Sequence, residues 1–306
     1  MIMSGRYLKH LHFTLVLLTT ILFFAGNKAY AQEKRGMMGL GFSVGAMNYS
    51  GELDDNFTLV FTKPGFGVHA MFLVFPRIHF RLNALHGTIT ASDAQANFTD
   101  NTMRNLRFYS DIDELSFHIM YTLQNRKRGF SKRNFATPYV FAGLSYYRFA
   151  PKRKINGTEY DLHSIGTEGQ NLGGNYPAPY DLQQFSIPFG FGFKIKLTPH
   201  IDVGAETGFR RTFTDYLDDV STNYPDKAAL LAKEGPMAVF LSDPSLNPLS
   251  GKAAGSARGN SGNVDWYVYT NIHLTYYLTT NLFKSYKPKH KFKGDNCKNL
   301  LKAKKG

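Results

Sequence analysis

Charged residues recur at positions where this 306-residue chain otherwise alternates between apolar and small or polar residues. In a strand, such alternation places one set of side chains on each face. If the charged face is enclosed, unpaired charges there are costly, so we expect these acids and bases to pair structurally. The residues are Arg81, Glu114, Glu206 and Arg210, with His118 and Lys194 at equivalent positions.

An aspartate-rich segment opens the longest stretch that lacks strand periodicity. It contains Asp215, Asp218 and Asp219, and Asp226 follows. Their carboxylate oxygens are ligands that calcium prefers. However, the acids at alternate positions and the glycine of a recognisable calcium loop are missing. A solvated loop or a packing motif is therefore the favoured interpretation.

Residues with catalytic potential form no recognisable motif. The ten histidines include no pair at metalloprotease spacing, and no serine lies in a Gly-x-Ser-x-Gly turn. His69, His86 or His163 beside a loop acid could form the acid–base pair of a barrel enzyme. Nothing in their spacing indicates that any of them does so. The single cysteine, Cys297, excludes an internal disulfide and a thiolate zinc cage. We expect no catalytic residue, cofactor, metal site or small-molecule substrate.

Positive charge is concentrated near the C-terminal end. The chain has 36 Lys and Arg against 23 Asp and Glu, and residues 279–306 hold nine lysines and one aspartate. This basic stretch is separate from the aromatic segments, so nucleic-acid binding is not expected. It is either a solvated extension or a surface that binds an anionic partner. The candidate partner-binding residues are Lys284, Lys287, Lys289, Lys291 and Lys293.

The N-terminal residues indicate export. Arg6 and Lys9 precede an apolar run at 13–25, and the small residues Ala29 and Ala31 follow on either side of Tyr30. This pattern is typical of a secretory signal peptide, and the run is too short to span a hydrocarbon core of ~30 Å. We therefore expect three regions: a signal peptide at 1–31, a folded region at 32–278 and a basic tail at 279–306.

Eight segments of the folded region show apolar residues at every second position. This is the period of a strand with two different faces. The segments are about 10 to 14 residues long, which suits tilted membrane strands better than the shorter strands of soluble sheets. They lie at 38–46, 65–75, 78–90, 110–123, 138–150, 185–197, 201–209 and 264–277.

The connections between these segments alternate in length. Two are tight turns at Pro76 and Pro199, and a third is a basic stretch at 125–137. The others are long and lie at 50–64, 91–109, 151–183 and 212–263. This alternation predicts an all-β fold: an eight-stranded antiparallel transmembrane β-barrel in the outer membrane of a Gram-negative bacterium, with short periplasmic turns and long extracellular loops.

A soluble sandwich or lipocalin-like fold would instead enclose the large apolar residues. Here the opposite face carries glycine, serine and scattered charges, which favours the membrane barrel. Eight strands leave room only for side chains, so we expect neither an open pore nor a proton path. Aromatic residues near strand ends are candidates for the interfacial girdles, namely Tyr49, Phe75, Phe149, Trp266, Tyr276 and Tyr277.

Six short motifs together resemble one family of outer-membrane barrels. They are Asn-Tyr-Ser-Gly-Glu-Leu at 48–53, Thr-Pro-Tyr-Val-Phe-Ala-Gly at 137–143, Gly-Thr-Glu-Gly at 166–169, Ile-Pro-Phe-Gly at 187–190, the aspartate-rich segment at 211–221 and Asp-Trp-Tyr at 265–267. With this combination, the chain resembles the PorG-like barrel proteins of the type IX secretion system over nearly all of 37–278. The lysine tail does not match the family pattern.

The resemblance implies a non-enzymatic accessory component of protein secretion and gliding motility. Such a barrel docks on a periplasmic ring made of a lipoprotein and its partner protein, and it has no catalytic residues and no cofactor. We therefore expect a lipid-embedded anchor for that ring, with the basic tail facing the ring. Two alternatives stay open: a small structural or adhesin-like barrel whose loops bind external ligands, and a lipid-modifying barrel enzyme.

Overall fold

Eight long antiparallel strands close on themselves in the computed structural model, which describes residues 37–54, 61–95, 103–124, 133–246 and 252–278. Each strand pairs with the next along the chain, and β9 returns to pair with β1. The strands are β1 Met37–Ser50, β2 Lys63–Leu73, β3 Ile78–Ser92, β4 Arg107–Thr122, β5 Ala136–Ile155, β6 Thr158–Asp161, β7 Gln183–Lys196, β8 Ile201–Thr212 and β9 Trp266–Leu278. The eight predicted strands are confirmed, and β6 is additional.

The short strand β6 lies outside the closed barrel. It pairs only with the end of β5, and Ile155 stands opposite Thr158 across a two-residue turn. Asn156 and Gly157 form that turn with φ of 50° and 88°. Asn-Gly is the preferred pair for such a hairpin because both residues tolerate positive φ. Sequence reasoning treated this stretch as loop and overlooked that signal.

Short helices lie in two of the long connections. They are α1 Leu162–Ile165, α2 Lys227–Glu234 and α3 Pro236–Ser242, and a 3-10 turn covers Asp93–Gln95. The Asp226 side chain caps α2 by accepting a bond from the Ala229 amide, and Pro236 opens α3 where its missing N–H costs nothing. Among the described residues, none of these helices is long and apolar enough to cross a membrane.

The outer surface of the barrel is apolar. Large side chains point outward at alternate positions of each strand, as in Phe42, Leu115 and Ile272, which are 55%, 60% and 62% exposed. A closed barrel leaves no strand edge unpaired, so this surface is compatible with lipid on every side. The protein is therefore an outer-membrane β-barrel whose lipid-facing residues are those that the alternation predicted.

The two ends of the barrel differ. At one end the connections at 74–77 and 197–200 are four residues long and a third covers 123–135. At the other end the four connections cover 51–62, 93–106, 156–182 and 213–265. β1 begins and β9 ends at the short-turn end, where Met38 stands opposite Leu278. The segments that precede and follow the barrel are joined to it there. The predicted signal peptide at 1–31 and basic tail at 279–306 lie outside the described residues.

The interior is layered along the barrel axis. A small apolar cluster at the short-turn end includes Met71, Met120 and Phe141, and a larger apolar cluster fills the long-loop end. Buried charges lie between them. Inward-facing residues are thus more apolar at both ends than the sequence pattern indicated.

Three of the aromatic residues assigned to the membrane girdles are in fact inside the barrel. Tyr49, Phe149 and Tyr277 are buried, whereas Phe75 and Tyr276 are exposed and Trp266 is half-buried. The physical reason is strand parity, because odd-numbered residues of β1, β5 and β9 all point inward. Proximity to a strand end does not decide which face a side chain occupies.

Candidate functional site

A buried ion pair crosses the middle of the lumen from β3 to β8. The two terminal nitrogens of Arg81 each lie 2.8 Å from a different carboxylate oxygen of Glu206. The Tyr139 hydroxyl donates a further bond of 2.8 Å to Glu206, and Arg81 Nε donates to His118 Nδ1 at 3.1 Å. Arginine has only donors, so His118 accepts at Nδ1 and its hydrogen is on Nε2.

A second buried pair lies closer to the long-loop end. Arg210 Nε donates to Glu114 Oε2 at 3.0 Å, and Tyr267 donates to the same oxygen at 2.8 Å. Arg210 also donates to the carbonyl oxygen of Gly208 at 2.7 Å. Sequence analysis expected Arg81, Glu114, Glu206 and Arg210 to pair without assigning partners. The structure pairs Arg81 with Glu206 and Arg210 with Glu114.

Lys194 was expected to pair with an acid as well, and this expectation is wrong: the residue is buried in the lumen but makes no ion pair within the described residues, because both lumen glutamates are bound to arginines. Its ammonium lies 5.3 Å from the centre of the Tyr139 ring, at a distance where a cation–π interaction is favourable. These side chains occupy the lumen from wall to wall. The interior is therefore a packed layer in which four of the buried charges neutralise one another, and not a water-filled channel.

The long connections at 156–182 and 213–265 fold together over the end of the barrel, and we call their described parts the cap. Glu168 is its central polar group and is fully buried. Its carboxylate accepts bonds from the Ser221 and Thr222 amides, the Thr222 hydroxyl and Arg258 Nη1, at 2.6 to 3.1 Å. One carboxylate thereby joins the two connections.

Asp219 belongs to the same network. The hydroxyls of Thr167 and Tyr180 donate to its two carboxylate oxygens, and Arg258 lies 3.7 Å away. Its backbone has φ of 65°, a left-handed conformation that Asp adopts more readily than most residues. Burial raises the pKa of Asp219 to about 6, and the nearby Arg258 charge opposes that rise.

Four carboxylates meet at the junction of the cap and the barrel, and we call Glu52, Asp215, Asp218 and Asp265 the carboxylate cluster. Oxygen atoms of Glu52, Asp218 and Asp265 all lie within 4.8 Å of one another. The Tyr49 hydroxyl is 2.7 Å from Asp218 and 2.8 Å from Asp265. This is the only such group of potential metal ligands among the described residues.

Burial and mutual repulsion raise the pKa values of the carboxylates in the cluster. Burial raises the pKa of Glu52 to about 8 and that of Asp215 to about 7, and each is also affected by a neighbouring carboxylate. Burial and the Asp218 charge raise the pKa of Asp265, while burial and the Glu52 charge raise that of Asp218. The arrangement would bind a hydrogen ion or a metal cation at this place.

The aspartate-rich segment is thus a packing motif and not a solvated loop. Asp215, Asp218 and Asp219 are all buried, and they divide between the carboxylate cluster and the Glu168 network. Sequence reasoning missed Glu52, Glu168, Asp265 and Arg258 as members of a site. The first three lie inside the resembling motifs, but their sequence separation hides that they meet.

The three histidines considered for catalysis lie far apart in the fold. His69 is inside the barrel, 2.9 Å from the Thr275 hydroxyl, and His163 contacts the Tyr180 carbonyl oxygen at 2.8 Å. His86 faces outward and lies 2.7 Å from Asp113. The basic tail candidates Lys284, Lys287, Lys289, Lys291 and Lys293 lie outside the described residues.

Comparison with solved structures finds other bacterial barrels. Similar structures include Ail, the attachment invasion locus protein of Yersinia pestis, in complex with sucrose octasulfate (8% identity, TM-score 0.38, 80% of this chain and 99% of that chain). Neisserial surface protein A (8%, 0.38, 78% and 95%) and the outer-membrane protease OmpT of Escherichia coli (8%, 0.37, 82% and 99%) are also similar. Identities and TM-scores this low carry no argument about what this chain binds or does.

Comparison with curated proteins returned no match. A family model described as a domain of unknown function, DUF6089, matches residues 14–232. The matched region contains β1 to β8, both buried ion pairs and three members of the carboxylate cluster. Because the match covers more than half of its length, the chain belongs to the DUF6089 family.

Proposed function

We propose that this barrel is a non-enzymatic anchor that attaches a periplasmic protein ring to the outer membrane. The observation that carries the proposal is the filled lumen, in which Arg81–Glu206 and Arg210–Glu114 close the interior. A barrel with no open channel has only its two ends and its lipid-facing wall available for function. An anchor needs a wall that is held in lipid and one end that binds its partner.

The short-turn end is the surface that we assign to the ring. In outer-membrane barrels the short turns face the periplasm. β9 ends at Leu278 on that side, and the lysine-rich residues 279–306 follow directly in the chain. A strongly basic segment attached there favours binding to an acidic periplasmic surface.

The identity of the ring rests on the resemblance to PorG-like proteins. The motifs at 48–53, 166–169, 211–221 and 265–267 supply the residues that hold the cap on the barrel. We propose on this basis that the chain serves the type IX secretion machinery and gliding motility, with a lipoprotein and its partner protein as the ring components. An enzymatic role has less support, since His69, His86 and His163 lie at three separate places.

Affinity purification from cross-linked outer membranes tests the anchoring role. The wild-type barrel should recover the ring lipoprotein, and a variant carrying Lys287→Gln, Lys289→Gln and Lys291→Gln should recover several-fold less. When cross-linking is done at higher ionic strength, recovery by the wild type should fall and the difference between wild type and variant should shrink, because salt screens exposed charges beyond about 10 Å at 0.1 M. Mass spectrometry of the recovered proteins is the measurement.

The matched control removes three positive charges at the other end of the molecule. Lys154, Lys233 and Lys252 are exposed and lie on the long-loop side, so changing them to glutamine should leave recovery unchanged. The proposal fails if the wild-type barrel recovers no ring protein while secretion continues normally in a strain that lacks this chain.

A further inference from the structure

We propose that the carboxylate cluster is a calcium site that fastens the connection between β8 and β9 to the end of β1. The four residues come from three places in the chain. Glu52 follows β1, Asp215 and Asp218 follow β8, and Asp265 directly precedes β9. A single ion bound to them would join both ends of the longest connection to the barrel rim.

The backbone already positions two of these carboxylates. The Val220 amide donates to Asp218 at 2.9 Å, and the Leu217 amide donates to Asp265 at 2.9 Å. In each residue the other oxygen faces the Tyr49 hydroxyl. That hydroxyl has one hydrogen and can donate it to only one of the two oxygens. The cluster therefore contains more acceptors than its donors can satisfy.

Asp215 provides an independent indication that this place binds a ligand. Its residue is 8% exposed and its carboxylate faces the side chains of Glu52 and Ser221, but no described group lies in hydrogen-bonding geometry with either oxygen. Oxygen Oε2 of Glu52, on the facing side chain, is likewise buried without a partner. Buried polar atoms without a partner are rare in folded proteins, and an ion is one of the few groups that would satisfy three of them together.

The basic side chains near the cluster bind carboxylates outside it, although Arg104 also donates to the Glu52 carbonyl oxygen at 3.3 Å. Arg104 binds both carboxylate oxygens of Asp93 at 2.8 Å and the carbonyl oxygen of Arg258 at 2.8 Å. Arg258 binds Glu168. None of the four cluster carboxylates forms a salt bridge with a described basic residue. A bound cation would supply the charge that these arginines do not.

The donor set favours calcium among the metal ions. Every potential ligand is a carboxylate oxygen, with no histidine or cysteine, which selects a hard cation over zinc or copper. Calcium accepts six to eight oxygens at about 2.3–2.6 Å in irregular geometry, so ligands on opposite sides of one ion are about 5 Å apart. The mutual spacing of Glu52, Asp218 and Asp265, within 4.8 Å, meets that requirement. Glu52 is partly exposed and gives the ion access from solvent.

Calcium titration of the full-length barrel, purified from outer membranes into lipopolysaccharide-free detergent, tests the proposal. Isothermal titration calorimetry should show one site with a dissociation constant on the order of 10⁻⁴–10⁻³ M, the range of extracellular calcium modules. Terbium bound in place of calcium should luminesce when tyrosine is excited, because Tyr49 lies against the cluster. Calcium should also slow trypsin cleavage within residues 213–265.

Variants of the cluster locate the site. Asp218→Asn and Asp265→Asn should each weaken calcium binding at least tenfold, while the calcium-free barrel stays folded because carboxylate repulsion is reduced. Glu52→Gln, at the most exposed member, serves if either aspartate variant fails to fold. Asp181→Asn is the control, since Asp181 is an exposed acid on the same end.

Two results would overturn the site. One is a wild-type barrel that takes up no calcium at several millimolar and is cleaved equally in calcium and in chelator; the four acids would then share protons. The other is calcium binding that survives unchanged in Asp218→Asn and Asp265→Asn, which would place the ion elsewhere. The wild-type titration decides the first without any variant.

Discussion

Arg81 and Glu206 show how the lumen tolerates buried charge. The two residues are 3% and 5% exposed, and they are joined through two parallel hydrogen bonds. Replacing a buried pair with apolar groups often costs little, but removing one partner leaves an uncompensated charge. The pair therefore adds little net stability by itself, but the loss of either residue destabilises the fold because the other stays charged and buried.

Glu206→Ala should lower the free energy of unfolding by about 3–5 kcal/mol, because Arg81 keeps its charge without a partner. The double variant Arg81→Met and Glu206→Leu should regain most of that loss, since neither member of the pair is left charged without its partner. Urea unfolding of the barrel in lipid vesicles measures both effects.

Glu159→Ala is the control for this prediction, because Glu159 is an exposed acid on β6 outside the closed barrel. It should change the free energy of unfolding by less than about 1 kcal/mol. Equal losses in Glu206→Ala and in the double variant would contradict the role assigned to the pair.

At the level of elements, the cap is held by a few buried polar groups and the barrel by continuous strand pairing. Glu168, in the connection at 156–182, binds the amides of residues 221 and 222 in the connection at 213–265. It also neutralises Arg258. Segments that depend on few contacts open locally at lower free energy than a closed sheet. A substitution that weakens the cap should therefore open the cap and leave the barrel folded.

Glu168→Ala should open the cap without unfolding the barrel, because the Ser221 and Thr222 amides lose their acceptor and Arg258 keeps only the more distant Asp219 carboxylate, at 3.7 Å. We expect a cost of about 3–5 kcal/mol. Trypsin should cut within residues 213–265 at least tenfold faster than in the wild type, while the barrel still migrates differently in gels before and after boiling.

Glu234→Ala, in α2 of the same cap, should leave the cleavage rate near the wild-type value, since Glu234 is partly exposed. Loss of the heat-dependent gel shift in Glu168→Ala would mean that cap and barrel fold as one unit.

Across the whole molecule, three interior layers follow one another along the axis: apolar residues at each end and paired charges between them. The cap adds a cover at one end but does not create these layers. The inward-facing side chains of the strands, and not the cap, therefore close the barrel.

The wild-type barrel should produce no stepwise currents in planar lipid bilayers, and a variant lacking residues 225–254 should also remain closed. The excision is feasible because Tyr224 and Ser256 are already hydrogen-bonded at 2.9 Å across that segment. Both results follow from a lumen filled by strand side chains.

Stepwise currents in the wild type would contradict the filled lumen. Currents in the excised variant alone would show that the cap, and not the charged layer, closes the barrel. Insertion of each protein into the bilayer is verified by its heat-dependent gel migration.

The sequence by itself determined the number of long strands, the alternating apolar residues that face lipid and the alternation of short and long connections, but not which aromatic residues form the girdles. These features are local, since a period of two and a proline-marked turn are visible within a dozen residues. Two further local signals are in the sequence. The odd and even positions of β1 indicate that Tyr49 faces inward, and the Asn156-Gly157 pair indicates a hairpin turn.

Only the tertiary structure decided which charges pair and what the loop acids do. Arg81 meets Glu206, and Glu52 meets Asp265, across distances in the chain that no local pattern encodes. Such contacts depend on the register and closure of the whole barrel and on how two long connections pack over its rim. The sequence supplied the acids, but barrel closure and loop packing brought them within reach of one ion.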